Sequence, residues 1–140
     1  MAKKAKIKKG FAFHVHHKEL MEWCYDFDGR AQIIKKNKPK NEVKPRLKWM
    51  RFVKGKLPNA VIETGTALDR AKVAYDKTWA IYNKTRACDK AVLALDKART
   101  TYYEVETACY DAIYNNKSAI EKLHAKECPD CTWNGNELIF

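Results

Sequence analysis

From Thr66 to Cys128 the chain carries neither glycine nor proline. These two residues are the strongest helix breakers, one through excess backbone freedom and the other through a missing N–H. Their absence over so long a stretch predicts helix, and Thr66 with Asp69 three residues on forms a weak capping box at its start. Inside the stretch a seven-residue repeat sets Leu68, Tyr75, Tyr82, Cys88, Leu95, Tyr102 and Cys109 on one row. A second row, three residues on from each, reads Ala71, Thr78, Thr85, Ala91, Ala98, Val105 and Ala112. Large side chains on one row and small ones on the other are a coiled-coil-like seam that needs a partner helix. One step, from Tyr82 to Cys88, is six residues and disturbs the seam near Thr85–Lys90. A straight helix of about 62 residues would be ~93 Å long. The alternatives are an antiparallel hairpin or a dimeric coiled coil. The turn candidates are the six-residue step and Asn115-Asn116.

The remaining chain is shorter and more varied. Residues 1–10 read as a flexible basic arm. Phe11 to His16 alternates, with Phe11, Phe13 and Val15 on one side and Ala12, His14 and His16 on the other, which predicts a strand. Over 18–36, Leu20, Trp23, Cys24, Phe27, Ala31 and Ile34 fall at helical spacing. Val43 to Val53 fits a second strand or a short helix. The expected fold class is therefore mainly α with a small β element (α+β). It comprises a basic head at 11–57, a long Ala/Tyr-rich helical segment or hairpin at 58–127, and a knuckle-bearing tail at 128–140 that packs back on the head.

The net charge of +11 is unevenly placed. Residues 1–65 hold 17 basic and 6 acidic side chains, residues 66–127 hold 11 and 9, and residues 128–140 hold only Asp130 and Glu137. Besides the five lysines of the arm, the excess sits in Lys35, Lys36, Lys38, Lys40, Lys44, Arg46, Lys48, Arg51, Lys54 and Lys56, against Glu42 alone. Clustered cations displace condensed counterions from a phosphate backbone and bind it without a sequence code. Trp49 and Phe52, interleaved among them, either stack on unpaired bases or belong to the core. Lysine in excess of arginine suits backbone attraction more than base readout. An anionic membrane surface or an acidic protein would answer the same charge.

The most specific motif lies at the end. Cys128-Pro129-Asp130-Cys131 has the spacing of a metal knuckle, and His124 stands four residues before it at the end of a helix. A closed zinc site takes four ligands in a tetrahedron. The remaining histidines, His14, His16 and His17, form the other cluster, and His16 is the expected fourth ligand. Cys24 is the alternative donor, although its place on an apolar stripe suits the core. The expected cofactor is structural zinc held by His124, Cys128, Cys131 and His16, which would draw strand 11–16 towards residue 128. Ordinary reduced thiols are the plain alternative. Cys-Pro-x-Cys also resembles a glutaredoxin-type motif, but that motif follows a strand and opens a helix, whereas this one follows a helix. Adjacent histidines before a helix occur in His-Asn-His nucleases, whose downstream Asn and His have no counterpart here.

There is no phosphate-binding glycine loop, serine nucleophile motif or carboxylate dyad, so no catalytic residues and no enzymatic activity are expected. No apolar run approaches the ~18 residues of a membrane span. The apolar stretch behind the N-terminal lysines is too short for a signal peptide, and an odd count of five cysteines fits a reducing compartment, the cytoplasm. The leading expectation is a small non-enzymatic nucleic-acid-binding protein with structural zinc, able to use the seam for a homodimer or a protein partner. The alternative is a protein–protein adaptor or inhibitor, such as an accessory protein of a phage or mobile element.

Overall fold

The computed structural model describes residues 6–85 and 88–140. It is mainly helical with a small antiparallel sheet. Along the chain run β1 (Gly10–Phe13), β2 (Met21–Cys24), α1 (Phe27–Asn37), α2 (Lys40–Trp49), β3 (Arg51–Phe52), α3 (Asn59–Thr85), α4 (Asp89–Asn115) and α5 (Lys117–Glu127). They form two compact units: one runs to Lys56 and resumes from Ser118 to Phe140, and the other is Leu57–Lys117. No helix among the described residues is long and apolar enough to cross a membrane.

In the first unit the sheet order is β2-β1-β3. Phe11 pairs with Trp23 and Phe13 with Met21 on one side of β1, while Ala12 pairs with Phe52 and Phe13 with Arg51 on the other. A central strand covered on both faces shows no useful alternation, and Phe11, Ala12, Phe13, His14 and Val15 are all buried. The strand also stops at Phe13, short of the expected His16. The helix expected over 18–36 divides. Met21–Cys24 pairs with β1, and the helix starts only at Phe27, where the Asp26 carboxylate accepts the Gly29 N–H at 3.0 Å. A four-residue strand that borrows its hydrogen bonds from a neighbour leaves no period of its own in the sequence. Residues 40–49 take the helical alternative, followed by the two-residue strand β3. Of the basic arm, residues 1–5 lie outside the described residues. Residue 8 is tied down, its carbonyl accepting the Phe27 N–H at 2.9 Å.

The second unit resolves the choice left open by the repeat. Helices α3 and α4 pair as an antiparallel hairpin: Tyr75 stacks on Tyr102 at 5.7 Å, and further from the connection Thr64 hydrogen-bonds Cys109. The helix begins at Asn59, not at Thr66. The Pro58 carbonyl accepts from Val61 and Ile62 N–H, and Thr66 Oγ1 donates back to the Ile62 carbonyl. The two rows read from the repeat supply the buried strip. Leu68, Ala71, Ala91, Leu95 and Cys109 are buried, and Tyr75, Thr78, Tyr82, Ala98, Tyr102, Val105 and Ala112 are half-buried. Cys88 and Thr85 fall out of the seam, both exposed beside the connection, where the six-residue step lies. Asn115-Asn116 marks the second break. The Asn116 N–H bonds back to the carbonyls of Ala112 and Ile113, its side-chain amide bonds to Ala112, and α5 starts afresh at Lys117.

Leu95 is 3 % exposed at the middle of this seam. Leu95→Ala should cost about 2–5 kcal/mol, read as a lower urea midpoint for loss of helical circular dichroism. Leu93→Ala, at a site 69 % exposed, should leave the midpoint within ~0.5 kcal/mol.

Candidate metal centre

Four donor side chains from two distant segments meet inside the first unit. His14, His124, Cys128 and Cys131 each offer one ligand atom, and these atoms all lie within 4.8 Å of one another. His14 and Cys128 are each 2 % exposed and His124 is 8 % exposed, while Cys131 is half-buried, so the group meets water only on the Cys131 side.

Local structure explains each position. His124 lies on the last turn of α5, and Cys128, four residues on, is held by a 2.7 Å bond from its N–H to the His124 carbonyl. One helical turn therefore places both side chains on the same side. The Cys128–Cys131 turn then feeds a miniature hairpin in which Trp133 pairs with Leu138. Asn134 Oδ1 caps the N–H groups of Asn136 and Glu137, with Gly135 at a φ of 100° that favours glycine. The hairpin docks through the Leu138 N–H to the His17 carbonyl at 2.8 Å. Trp49, Cys128 and Leu138 form the core beneath it, with Cys131 and Trp133 packed against them.

The fourth donor is His14 rather than His16. His14 has φ 56°, the only non-glycine residue with positive φ among those described. This left-handed turn ends β1 and brings its ring beside His124, centroids 4.8 Å apart. Its N–H bonds the Leu20 carbonyl, closing the β1–β2 loop. His16, carried past the turn, points its Nδ1 at Glu22 Oε1 instead, at 2.5 Å. The sequence alternation places His14 and His16 on the same face, and one left-handed residue breaks that rule. Cys24 is core, packed with Ala12 and Val15, and burial pushes its thiol pKa up.

The donor set fits a metal ion. The Nε2 atoms of His14 and His124 face each other at 2.8 Å, and Cys131 Sγ lies 3.2 Å from His124 Nε2. A tetrahedral ion with bonds of about 2.0–2.3 Å would hold such atoms roughly 3.3–3.8 Å apart. The longest separation, 4.8 Å, and the shortest, 2.8 Å, bracket that range, so small side-chain rotations suffice. His14 Nδ1 is buried without a hydrogen-bond partner, so neither ring tautomer satisfies both of its nitrogens. Two thiolates would cancel the charge of a divalent ion, leaving a neutral group that can stay buried.

With no ion bound, burial favours the uncharged forms of these side chains, neutral imidazole and protonated thiol, and an ion would have to displace the thiol protons. Burial, with repulsion from His124 and Arg51 behind it, lowers the His14 pKa from 6.5 to about 4. His124 is lowered by burial and by Arg51. The Cys128 thiol is pushed up to about 12, chiefly by burial, then by its hydrogen bond with Cys131. Arg51 also ties the site together, donating to the Glu127 carbonyl at 2.6 Å and the Lys48 carbonyl at 3.3 Å. The Glu127 carboxylate in turn accepts from the N–H groups of Lys54 and Gly55. A Cβ at Gly55 would meet Leu123 Cδ2 at 2.5 Å and Glu127 Oε2 at 3.0 Å, so a larger residue there would push these two side chains aside.

The basic residues of 35–56 divide by role. Arg46 is buried, bonds Glu42 through Nε and Nη2, and lies 4.5 Å over the Phe140 ring. Arg51 is committed to the carbonyls named above. Lys48 pairs with Asp130 at 3.1 Å. Lys35, Lys36, Lys40, Lys44, Lys54 and Lys56 are exposed and Lys38 is half-buried. Trp49 is buried and Phe52 lies half-buried against Phe27 at 4.6 Å, so neither offers an open stacking platform.

No protein-family model, curated protein or solved structure gives a significant match to this chain.

Two outcomes follow. His14→Ala and Cys128→Ala should lower the metal content of the purified protein, while His16→Ala should leave it unchanged, as measured by elemental analysis. The unfolded chain binds protons at His14 that the folded chain refuses between pH ~6.5 and ~4. Stability is therefore full above pH ~6.5 and falls as pH drops through that window, and the lowering of His124 has the same sign. Proton competition with a bound metal acts in the same direction. Thermal melts from pH 7.5 to pH 4.5 should show Tm falling throughout.

Proposed function

We propose that the chain is a small non-enzymatic nucleic-acid-binding protein whose first unit is held together by structural zinc. The observation that carries the binding reading is the surplus of exposed lysine. Among the described residues, the exposed Lys35, Lys36, Lys40, Lys44, Lys54 and Lys56 and the half-buried Lys38 have no ion-pair partner, and the one acid of that segment, Glu42, is engaged by Arg46. Such lysines attract a phosphate backbone by counterion release, and the half-buried and buried aromatics argue for backbone contact over base stacking.

The zinc reading rests on the two-histidine, two-cysteine set and on the burial of three of its four members, with Cys131 half-buried. Zinc accepts this mixed donor set without a redox change, and four protein ligands leave no coordination position for water or substrate. The ion would join residues 124–131 to the end of β1, replacing side-chain contacts that a head of this size is too small to supply. Chelation should therefore lower the Tm of the first unit markedly.

Binding is tested by salt titration against short duplex DNA, single-stranded DNA and structured RNA, using zinc-loaded protein free of co-purified nucleic acid. The affinity should fall steeply with salt. Each lost phosphate contact reduces the log–log slope by roughly 0.9 on duplex DNA. Lys35→Ala, Lys36→Ala, Lys40→Ala and Lys44→Ala combined should lower the slope by up to ~3–4 with Tm unchanged. Arg46→Ala and Arg51→Ala should lower Tm instead. Absence of binding at low salt would overturn the reading.

A further inference from the structure

Of the four clustered donors, His14, His124 and Cys128 are buried and Cys131 alone is half-buried. A solute reaching the group therefore meets a sulfur first, and the other sulfur stands next to it. Cys128 and Cys131 are both free thiols, hydrogen-bonded to each other, with their Sγ atoms no more than 4.8 Å apart. Pro129 and Asp130 form the turn between them. The ends of such a four-residue turn lie within about 7 Å at Cα, which is inside the reach of a disulfide. Charge decides what joining the sulfurs would do. As thiolates they supply the negative charge that lets a divalent ion stay buried. As a disulfide they supply none, and only two neutral imidazoles remain as donors. Arg51, which holds the carbonyl of the residue before Cys128 at 2.6 Å, adds a positive charge beside the site. A buried cation without counter-charge is not held.

We infer, on the structural-zinc reading, that Cys128 and Cys131 are a peroxide-sensitive pair: oxidised to a disulfide, they surrender the ion and free residues 128–140 from the end of β1. The Cys131 thiolate attacks one oxygen of the peroxide, the O–O bond breaks, and Cys131 becomes a sulfenic acid as hydroxide departs. The Cys128 thiolate then attacks the Cys131 sulfur, the S–O bond breaks, and a second hydroxide departs. Two electrons pass from the sulfur pair to the peroxide, and two protons from solvent turn both hydroxides into water. A dithiol reductant reverses the change, and the pair takes zinc back. The surrounding ties set where the structure gives way. Helix α5 is fastened independently of the donors, by Arg51 on the Glu127 carbonyl and by the Glu127 carboxylate on the Lys54 and Gly55 N–H groups. Beyond Cys128 the tail keeps one backbone bond, Leu138 N–H to the His17 carbonyl, with Leu138 packed on Trp49 and the Phe140 ring under Arg46. Its Lys48–Asp130 pair is exposed on both sides, and such a pair adds little.

The test uses the full chain carrying Cys88→Ser, which removes the exposed thiol outside the pair and puts a favoured N-cap residue before α4. The protein is loaded with zinc, freed of excess, and its zinc content measured by elemental analysis. Hydrogen peroxide is then added. Released zinc is read with a dye too weak to strip the untreated protein, the tryptic peptide after Lys126 is weighed, and amide hydrogen exchange is followed. The expected result is one zinc released per chain as that peptide loses two hydrogens, with the Leu138 amide exchanging at least tenfold faster. Dithiothreitol with zinc should restore all three. Cys131→His, which keeps four donors without a second sulfur, should hold its zinc at the same peroxide dose; if that variant takes up no zinc, the readouts on the parent decide. Zinc retained by the parent, a peptide that gains oxygen instead of losing hydrogen, or unchanged exchange at Leu138 each overturns the inference and leaves the zinc reading standing. A parent protein that takes up no zinc overturns both.

Discussion

The first unit depends on one long-range convergence. His14 and His124, 110 positions apart, put their Nε2 atoms 2.8 Å from each other with two cysteine sulfurs alongside. The loop closed by that contact is long, and closing it costs chain entropy that a three-stranded sheet with one two-residue edge strand offsets poorly. Around the four side chains the structure adds secondary ties. Arg51 holds the Glu127 carbonyl, the Glu127 carboxylate holds the backbone at Lys54 and Gly55, and the 133–138 hairpin bonds the loop after β1. Each tie joins the segment around α5 and the tail to the segment before residue 57. The four clustered side chains and these polar ties therefore act on the same two segments, those on either side of the 57–117 hairpin.

This arrangement also accounts for how the cationic residues are divided. Guanidinium groups, planar and multiply donating, went to buried or carbonyl-capping places: Arg46 to Glu42 and Phe140, Arg51 to two carbonyls, Arg30 to the Val15 carbonyl at 2.9 Å. Ammonium groups, which hydrate strongly and lose more on burial, stayed outside. A count of positive charge in residues 35–56 treats the two as equal. Burial separates them into residues that build the unit and residues that remain available to a partner.

The hairpin is legible from the sequence because its information is local. The two rows at seven-residue spacing, the six-residue step and the Asn115-Asn116 pair are all recorded within one stretch of chain, and each has its counterpart in the fold. The helix start was misplaced because Gly65 and Thr66 look like a boundary, whereas Gly65 lies buried inside α3. Strand β2 was missed for a different reason. Met21–Cys24 is too short to show a period, and its hydrogen bonds come from a partner strand.

By itself the sequence determined the long helical stretch, the face along which it pairs, and three of the four donors in His124, Cys128 and Cys131. Helical period and knuckle spacing are short-range quantities that side-chain order alone sets. Tertiary structure decided that the helix folds back on itself, that His14 and not His16 completes the donor set, and that Arg46 and Arg51 are structural. The fourth member of the cluster turned on a single left-handed backbone at His14, which reverses the face rule of an extended strand. That conformation is held by the Leu20 hydrogen bond and the packing of distant rings, neither of which has a signature in the residues next to it.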